Sequence, residues 1–323
     1  MADKLSFEQF YETELTPALQ PLEERRKAVA KKILFICGAV AAVALLIAGV
    51  LLMNSHDPAA LFFPLFIAAA IIALIFKQLS AGYVNDFKNQ VVALIVNYID
   101  PDLTYRPQSG ILQQQFLAGG IFRQRIDRYQ SEDLVQGTAG KTRIEFSEIH
   151  AEYKTETRDS KGRRHTQWHT IFKGLFFIAD FNKHFRGRTF VLPDTAEKLL
   201  GRIGQKLQEI DRSRGELVTL EDPAFEKEFA VYSSDQVEAR YILSPALMRR
   251  LLEFKQKTGT KVYFSFIGGE VNIGLSSQKN RFEPKLFSTV LDIDMAREFV
   301  SDLQLALGIV EDLNLNTRIW TKE

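Results

Sequence analysis

Two long uncharged runs constrain this chain more than any other feature. Residues 33–53, ILFICGAVAAVALLIAGVLLM, hold 21 residues without a charge, and residues 59–76, AALFFPLFIAAAIIALIF, hold 18. At about 1.5 Å rise per residue, such runs match a bilayer core about 30 Å thick. Only NSHDP (54–58) separates them, so the pair predicts a transmembrane helical hairpin over 33–76. Pro64 falls early in the second run, where few backbone donors are lost. A secretory signal would lie nearer the start and end at a small-residue cleavage site, whereas charged and amphipathic residues come first here.

Charge at the flanks predicts orientation. Arg25, Arg26, Lys27, Lys31 and Lys32 precede the first run, Lys77 and Lys88 follow the second, and residues 54–58 contain no Lys or Arg. Positive charge resists translocation, so these five residues are expected to set the topology, with both termini cytoplasmic. Gly38 with Ala42, and Ala69 with Ala73, have the four-residue spacing that lets membrane helices approach closely or form oligomer contacts.

Residues 1–32 read as a cytoplasmic amphipathic segment, with Leu5, Phe7, Phe10, Tyr11 and Leu15 near one face and Pro17 and Pro21 interrupting it. Glu8, Glu12 and Glu14 would be repelled by anionic lipid, which favours docking on protein over lying on the bilayer. Residues 77–100 carry Tyr83, Phe87, Val91, Leu94 and Tyr98 at helical spacing, the pattern of a stalk that continues the second span to Pro101.

Residues 101–323 are expected to form one cytoplasmic domain, with two sub-lobes dividing near 195–220. From Thr142 the apolar period becomes two: TRIEFSEIHAEYKT, a turn at RDSKGRRH, then TQWHTIFKGLFFIADF and RGRTFVLPD predict three strands. FEKEFAVYSSDQVEARYIL predicts a strand and turn. SPALMRRLLEFKQKTG predicts a helix capped by Ser244 and ended by Gly259, and KVYFSFIGGEVNIGL a hairpin turning at Gly268–Gly269. An amphipathic helix over about 295–313 closes the chain. Helices and antiparallel hairpins without βαβ alternation make the class α+β: a two-helix transmembrane hairpin, then a mainly antiparallel sheet with flanking helices.

Chemistry is sparse. VQGTAGKT (135–142) approaches a phosphate-binding loop, but Val135 stands where its first glycine belongs, RYQSED before it is no buried strand, and a strand pattern follows where a helix should open. Gly137 and Gly140 read as turn residues. His165 and His169 on one strand lie about 13 Å apart, too far for one metal ion, even with His150 and His184 considered. Ser233–Asp235 with Arg240 lacks a nucleophile elbow and reads as a helix cap. No catalytic, cofactor-binding or metal residues are assigned. Cys37 is the single cysteine and the net charge is +1, so neither a disulfide framework nor a nucleic-acid-binding field is indicated. The remaining cluster is Arg158, Lys161, Arg163, Arg164 and His165 at a hairpin tip, a candidate contact for anionic head groups or an acidic partner.

The runs FSEIHAEYKT, WHTIFKGLFFIADFNKHFRGRTFVLPD, FEKEFAVYSSDQVEARYILSPALM and LNLNTRIW resemble an uncharacterised bacterial family, domain of unknown function 3137, sometimes labelled galanin-like. That resemblance implies a multi-pass protein of the bacterial inner membrane, brings no activity, and points to a LemA-like membrane protein as partner. The expected function is a membrane-tethered cytoplasmic adaptor or assembly component that binds another protein, with the bilayer as a partner and a homo-oligomer open. The alternatives are anionic-lipid recognition by a pleckstrin-homology-like roll, and an enzyme acting on a membrane-derived substrate.

Overall fold

The structure is a computed structural model. It describes residues 6–55, 61–159, 162–181, 184–193, 214–278, 280, 282–308, 310 and 313. Two compact units are present: residues 1–98 with 282–300, and residues 99–281 with 301–323.

The first unit is built on two helical rods, Phe7–Asn54 and Phe62–Ile99. The first comprises α1 (Phe7–Phe10), a π turn (Tyr11–Leu15) and α2 (Thr16–Ser55). Ser6 caps it, accepting from the Gln9 amide while the Gln9 side chain accepts from the Ser6 amide. Pro17 and Pro21 do not interrupt the helix, contrary to the sequence expectation. The wider π turn lies immediately before Pro17, where a missing N–H and a ring clash would otherwise break the i→i−4 ladder. The second rod comprises α3 (Phe62–Phe87), a second π turn (Lys88–Val92) and α4 (Ala93–Ile99), the continuation expected of a stalk.

Both rods are long and apolar enough to cross a membrane. Side chains such as Phe35, Leu46, Phe63 and Phe66 are exposed along them. Within the two uncharged runs the buried alanines are Ala44 and Ala48 on α2 and Ala68 on α3. Gly38 has nothing within 4 Å of its Cβ position, so the close-packing residues follow a different phase from Gly38–Ala42 and Ala69–Ala73.

The amphipathic N-terminal segment packs on protein within this unit. Phe10 stacks on Tyr98 at 4.0 Å, and Leu15, Leu19 and Leu22 are buried. Part of the C-terminal region joins it, including the first half of α9 (Ile293–Leu307): Phe299 packs on Phe87 at 5.6 Å, and Arg297 lies over Phe7 and 3.6 Å from Glu8.

The second unit holds one nine-stranded antiparallel sheet in the order β1-β2-β3-β4-β9-β8-β5-β7-β6. Its strands are β1 (Leu103–Arg106), β2 (Arg128–Ala139), β3 (Thr142–Arg158), β4 (Arg164–Asp180), β5 (Arg188–Pro193), β6 (Glu216–Leu217), β7 (Phe229–Ser233), β8 (Val262–Ile267) and β9 (Glu270–Ser276). The helices are α5 (Gln113–Ala118), α6 (Pro223–Glu228), α7 (Gln236–Ile242) and α8 (Pro245–Thr258). The described strands form one continuous sheet, with β1 and β6 at its edges among the described residues.

Both faces of the central strands are buried, and phenylalanine fills both. Phe176 meets Phe116 of α5, edge-on at 4.9 Å, while the next residue, Phe177, packs on Phe146 on the opposite face. Phe264 of β8 meets Phe254 of α8 and Phe229, while Tyr263 turns to Phe122. Ser244 and Gly259 (φ +62°) bound α8, and Gly268 and Gly269, both at positive φ, turn the β8–β9 hairpin, all as the sequence predicts.

Local readings are refined in three places. RYQSED, read as no buried strand, lies in the half-exposed strand β2, where Arg128, Gln130 and Glu132 are exposed and Asp133 is buried. Gly137 lies inside β2 opposite Leu103 and Ile144, where a Cβ would overlap the Asp102 carbonyl oxygen; only Gly140 sits at the β2–β3 turn. QVEARYI is the helix α7, capped by Asp235, which accepts from the Val237 and Glu238 amides. The division expected near 195–220 falls mostly on residues outside those described.

Candidate partner interface

The longest strands, β3 and β4, pair from Ile144↔Ala179 out to Arg158↔Arg164. Their neighbours stop earlier. β2 reaches only Glu152 on β3, and β9 pairs only with Gly174–Asp180 of β4. Beyond those points the hairpin continues as a two-stranded arm. A bulge marks its root: Ala151 pairs with Phe172 and Glu152 with Thr170, leaving Ile171 as the extra residue. Such an insertion bends a strand and increases its twist.

Cross-strand register assigns the arm's two faces. One carries Lys154 and Trp168, Glu156 and Thr166, then Arg158 and Arg164. Arg128 of β2 covers its root, the guanidinium 3.9 Å above the Trp168 ring and 3.1 Å from Glu152. The other face carries Tyr153 and His169, Thr155 and Gln167, then Thr157 and His165. The His169 ring stacks on Tyr153 at 4.8 Å, and its Nε2 lies 2.9 Å from the Thr155 hydroxyl.

The tip is less cationic than the sequence implies. Arg164 pairs with Glu156 at 3.3 Å, and Lys154 with the same carboxylate at 2.9 Å; the Lys154 hydrogen bond and the Arg164 charge hold Glu156 below the usual carboxylate range. His165 lies 3.4 Å from Asp159, whose side chain also accepts from the Arg163 amide at 2.8 Å. Arg158 and Arg163 make no ion pair among the described residues. Gly162, at φ +76°, turns the tip, and Lys161 lies outside the described residues.

The outer edges of the arm differ. On β3, the Lys154 amide is occupied by the Asp127 carboxylate at 2.9 Å, and Lys154, Glu156 and Arg158 follow one another at alternate positions. On β4, no described backbone pairs with the outer edge of Thr166–Phe172; contact resumes at Lys173, whose carbonyl accepts from Ser277. Those seven residues, TQWHTIF, contain no Asp, Glu, Lys, Arg or Pro. Edge strands are ordinarily blunted by charge, proline or cover, and this edge has none of them among the described residues. The sequence had pointed to the tip. The signal for the edge was the polar, β-branched, uncharged run TQWHT, visible only once the lengths of the neighbouring strands are known.

The five residues expected to set topology lie on α2 in the first unit, in different environments. Arg25 pairs with Asp86, Lys27 with Glu24 at 2.9 Å, and Lys31 and Lys32 are exposed. Arg26 is largely buried and bidentate to Glu23, at 2.8 and 2.7 Å, and donates to the Leu286 carbonyl at 2.7 Å. Glu23 also accepts from the Val290 amide at 3.1 Å. Those hydrogen bonds, Arg26 first, pull the Glu23 carboxyl down to about 2 against burial. Lys88 is buried as well, so it and Arg26 do not act as simple exposed charges.

Among the described residues, no three His, Cys, Asp or Glu side chains gather as metal ligands. A cavity of about 140 Å³ on the sheet is lined by Glu132, Glu148, His150, Lys173 and neighbours, and one of about 240 Å³ by Leu217, Glu226, Phe229 and neighbours. Both fall below the volume usual for a small-molecule site, about 300–1,000 Å³.

Two long apolar helices in one unit and an antiparallel sheet with a projecting ribbon in the other define an α+β protein with two candidate membrane spans. Residues 170–315 match the family described as protein of unknown function, DUF3137, so the resemblance read from the sequence is borne out over that stretch. No curated protein matches the chain. Among solved structures, the crystal structure of the mycobacterial trehalose monomycolate transport factor A, TtfA, matches with 9% identity over 64% of this chain and 90% of that one; at a TM-score of 0.29 it carries no argument.

Proposed function

We propose that this protein is a membrane-tethered adaptor. The two apolar helices span the bacterial inner membrane with both termini cytoplasmic, and the sheet unit binds a protein partner through the β3–β4 arm. The observation that carries this reading is the outer β4 edge, Thr166–Phe172, which pairs with no strand among the described residues and could take up a further one. Main-chain hydrogen bonds would supply affinity. Trp168 on one face, and His169 and Gln167 on the other, would select the side chains of the incoming segment. Arg158 and Arg163 at the tip favour a partner segment with acidic residues at the corresponding end.

The test is purification of tagged full-length protein from native membranes in mild detergent, with mass spectrometry of what is retained. Beside it runs a variant in which residues 155–167 are replaced by Asn-Gly, joining the directly paired Lys154 and Trp168 by a two-residue turn. A protein, LemA-like or other, retained at constant stoichiometry by the parent and lost from the shortened variant is the expected result. Equal retention by both would remove residues 155–167, the outer part of the arm with its basic tip, from the interface. Retention of anionic lipid alone, lost with the tip, would support the lipid reading instead.

A further inference from the structure

The turn at 286–290 lies in the same unit as the two apolar helices, although some two hundred residues separate them in sequence. It is pinned on both sides. The Leu286 carbonyl accepts from Arg26 at 2.7 Å, and the Val290 amide donates to Glu23 at 3.1 Å. Leu286 and Val290 face inward and are buried, at 7% and 0% exposure, which leaves Phe287 outward at 60%. Its ring lies 6.2 Å from that of Phe76. Phe76, itself 39% exposed, is the last residue of the second uncharged run, and Lys77 follows it.

The heights along the rods are consistent with this contact. Arg26 lies seven residues before Ile33, and Tyr83 seven residues after Phe76, about 10 Å along a helix in each case. Arg26, at that depth, holds the base of the turn, while Phe287 reaches back to the level of Phe76. If the uncharged runs fill the hydrocarbon core, that interval is the headgroup layer of the leaflet. Lys285, exposed beside Leu286, joins Lys31, Lys32 and Lys77 as the cations of this boundary. An outward phenylalanine flanked by lysine on a rigid backbone is the composition of an interfacial anchor. In water the same pair of exposed rings would be an unfavourable apolar patch.

We propose that the turn 286–290 is a second membrane anchor, with Phe287 inserted at the boundary of head groups and acyl chains beside Phe76, and Lys285 facing lipid phosphates. The proposal rests on the reading that residues 33–53 and 59–76 span the bilayer. It adds that the C-terminal region is itself attached to that bilayer.

The test uses the full chain with Cys37→Ala, and single cysteines in turn at Phe287, Leu74 and Glu12, each carrying an environment-sensitive fluorophore. The proteins are reconstituted into phosphatidylethanolamine–phosphatidylglycerol vesicles with and without lipids bearing a nitroxide near the head group or deep in the acyl chain. The label at 287 is expected to be quenched by the shallow nitroxide at least about threefold more than the label at Glu12, an exposed position on the first rod about 30 Å before Ile33. Quenching at Leu74 with none at 287 would overturn the anchor and leave the spans standing. No quenching at either would overturn the spanning reading and the anchor with it. Should cysteine at 287 unsettle the turn, Ser288→Cys, exposed and one residue on, repeats the measurement.

Discussion

Glu23 and Arg26 show how much a single pair of side chains can organise. Their bidentate bond is buried, and each also holds the backbone of the turn at 286–290. Because folding lowers the Glu23 pKa from 4.5 to about 2, its contribution is fully present above pH 4.5 and is lost as pH falls toward 2. Glu23→Gln should therefore destabilise the first unit by about 3 kcal/mol at neutral pH, leaving Arg26 buried beside a neutral amide. The parent and variant unfolding midpoints in detergent should converge as pH approaches 2. A constant offset between them across that range would deny Glu23 this role. In the sequence these residues read only as part of a charged flank, EERRK. Nothing local distinguishes Arg26, which turns inward, from Arg25, which pairs at the surface with Asp86, because the distinguishing atoms lie more than two hundred residues away.

At the scale of elements, apolar period was the dependable guide. It identified β3, β4, β5, α8 and the β8–β9 hairpin, even though β5, β9 and the inner half of β4 are buried on both faces. It failed at β2, whose RYQSED half shows polar residues because only one face and part of its length are covered. It failed again at Pro17, which a π turn precedes, and at Pro21, which stands inside the continuous helix α2. The arm lies between these cases: its strands were legible, but their projection beyond β2 and β9 was not, since that depends on where other strands end. A lone two-stranded ribbon is marginal in water. By hydrogen exchange, the amides of Thr155–Arg158 and Thr166–Thr170 should accordingly be at least about 100-fold less protected than those of Phe146–Ala151 and Leu175–Ala179, which have strands on both sides. Equal protection would show that the arm is covered in the free protein.

For the whole molecule, the two uncharged runs and their flanking cations set the expected arrangement, and chemical labelling can test it. In a Cys37→Ala background, Asn54→Cys at the end of the first rod should react with an impermeant maleimide added outside intact spheroplasts. Lys31→Cys should react only after the membrane is opened. The reverse pattern would invert the topology, and labelling of both without permeabilisation would place neither residue behind a membrane.

The first unit is discontinuous along the chain: its first piece ends at Tyr98, and its remaining piece begins at Phe282. A ribosome emits the chain in one direction at roughly 5–20 residues per second, so the pair of rods would wait on the order of 10–40 s for the residues that complete it. Phe87 would meet Phe299 only after the whole sheet has been made, and the buried charge of Arg26 would find the Leu286 carbonyl just before that. Any chain cut short within the sheet would thus leave two long apolar helices with an unfinished end, a form that quality-control proteases could recognise.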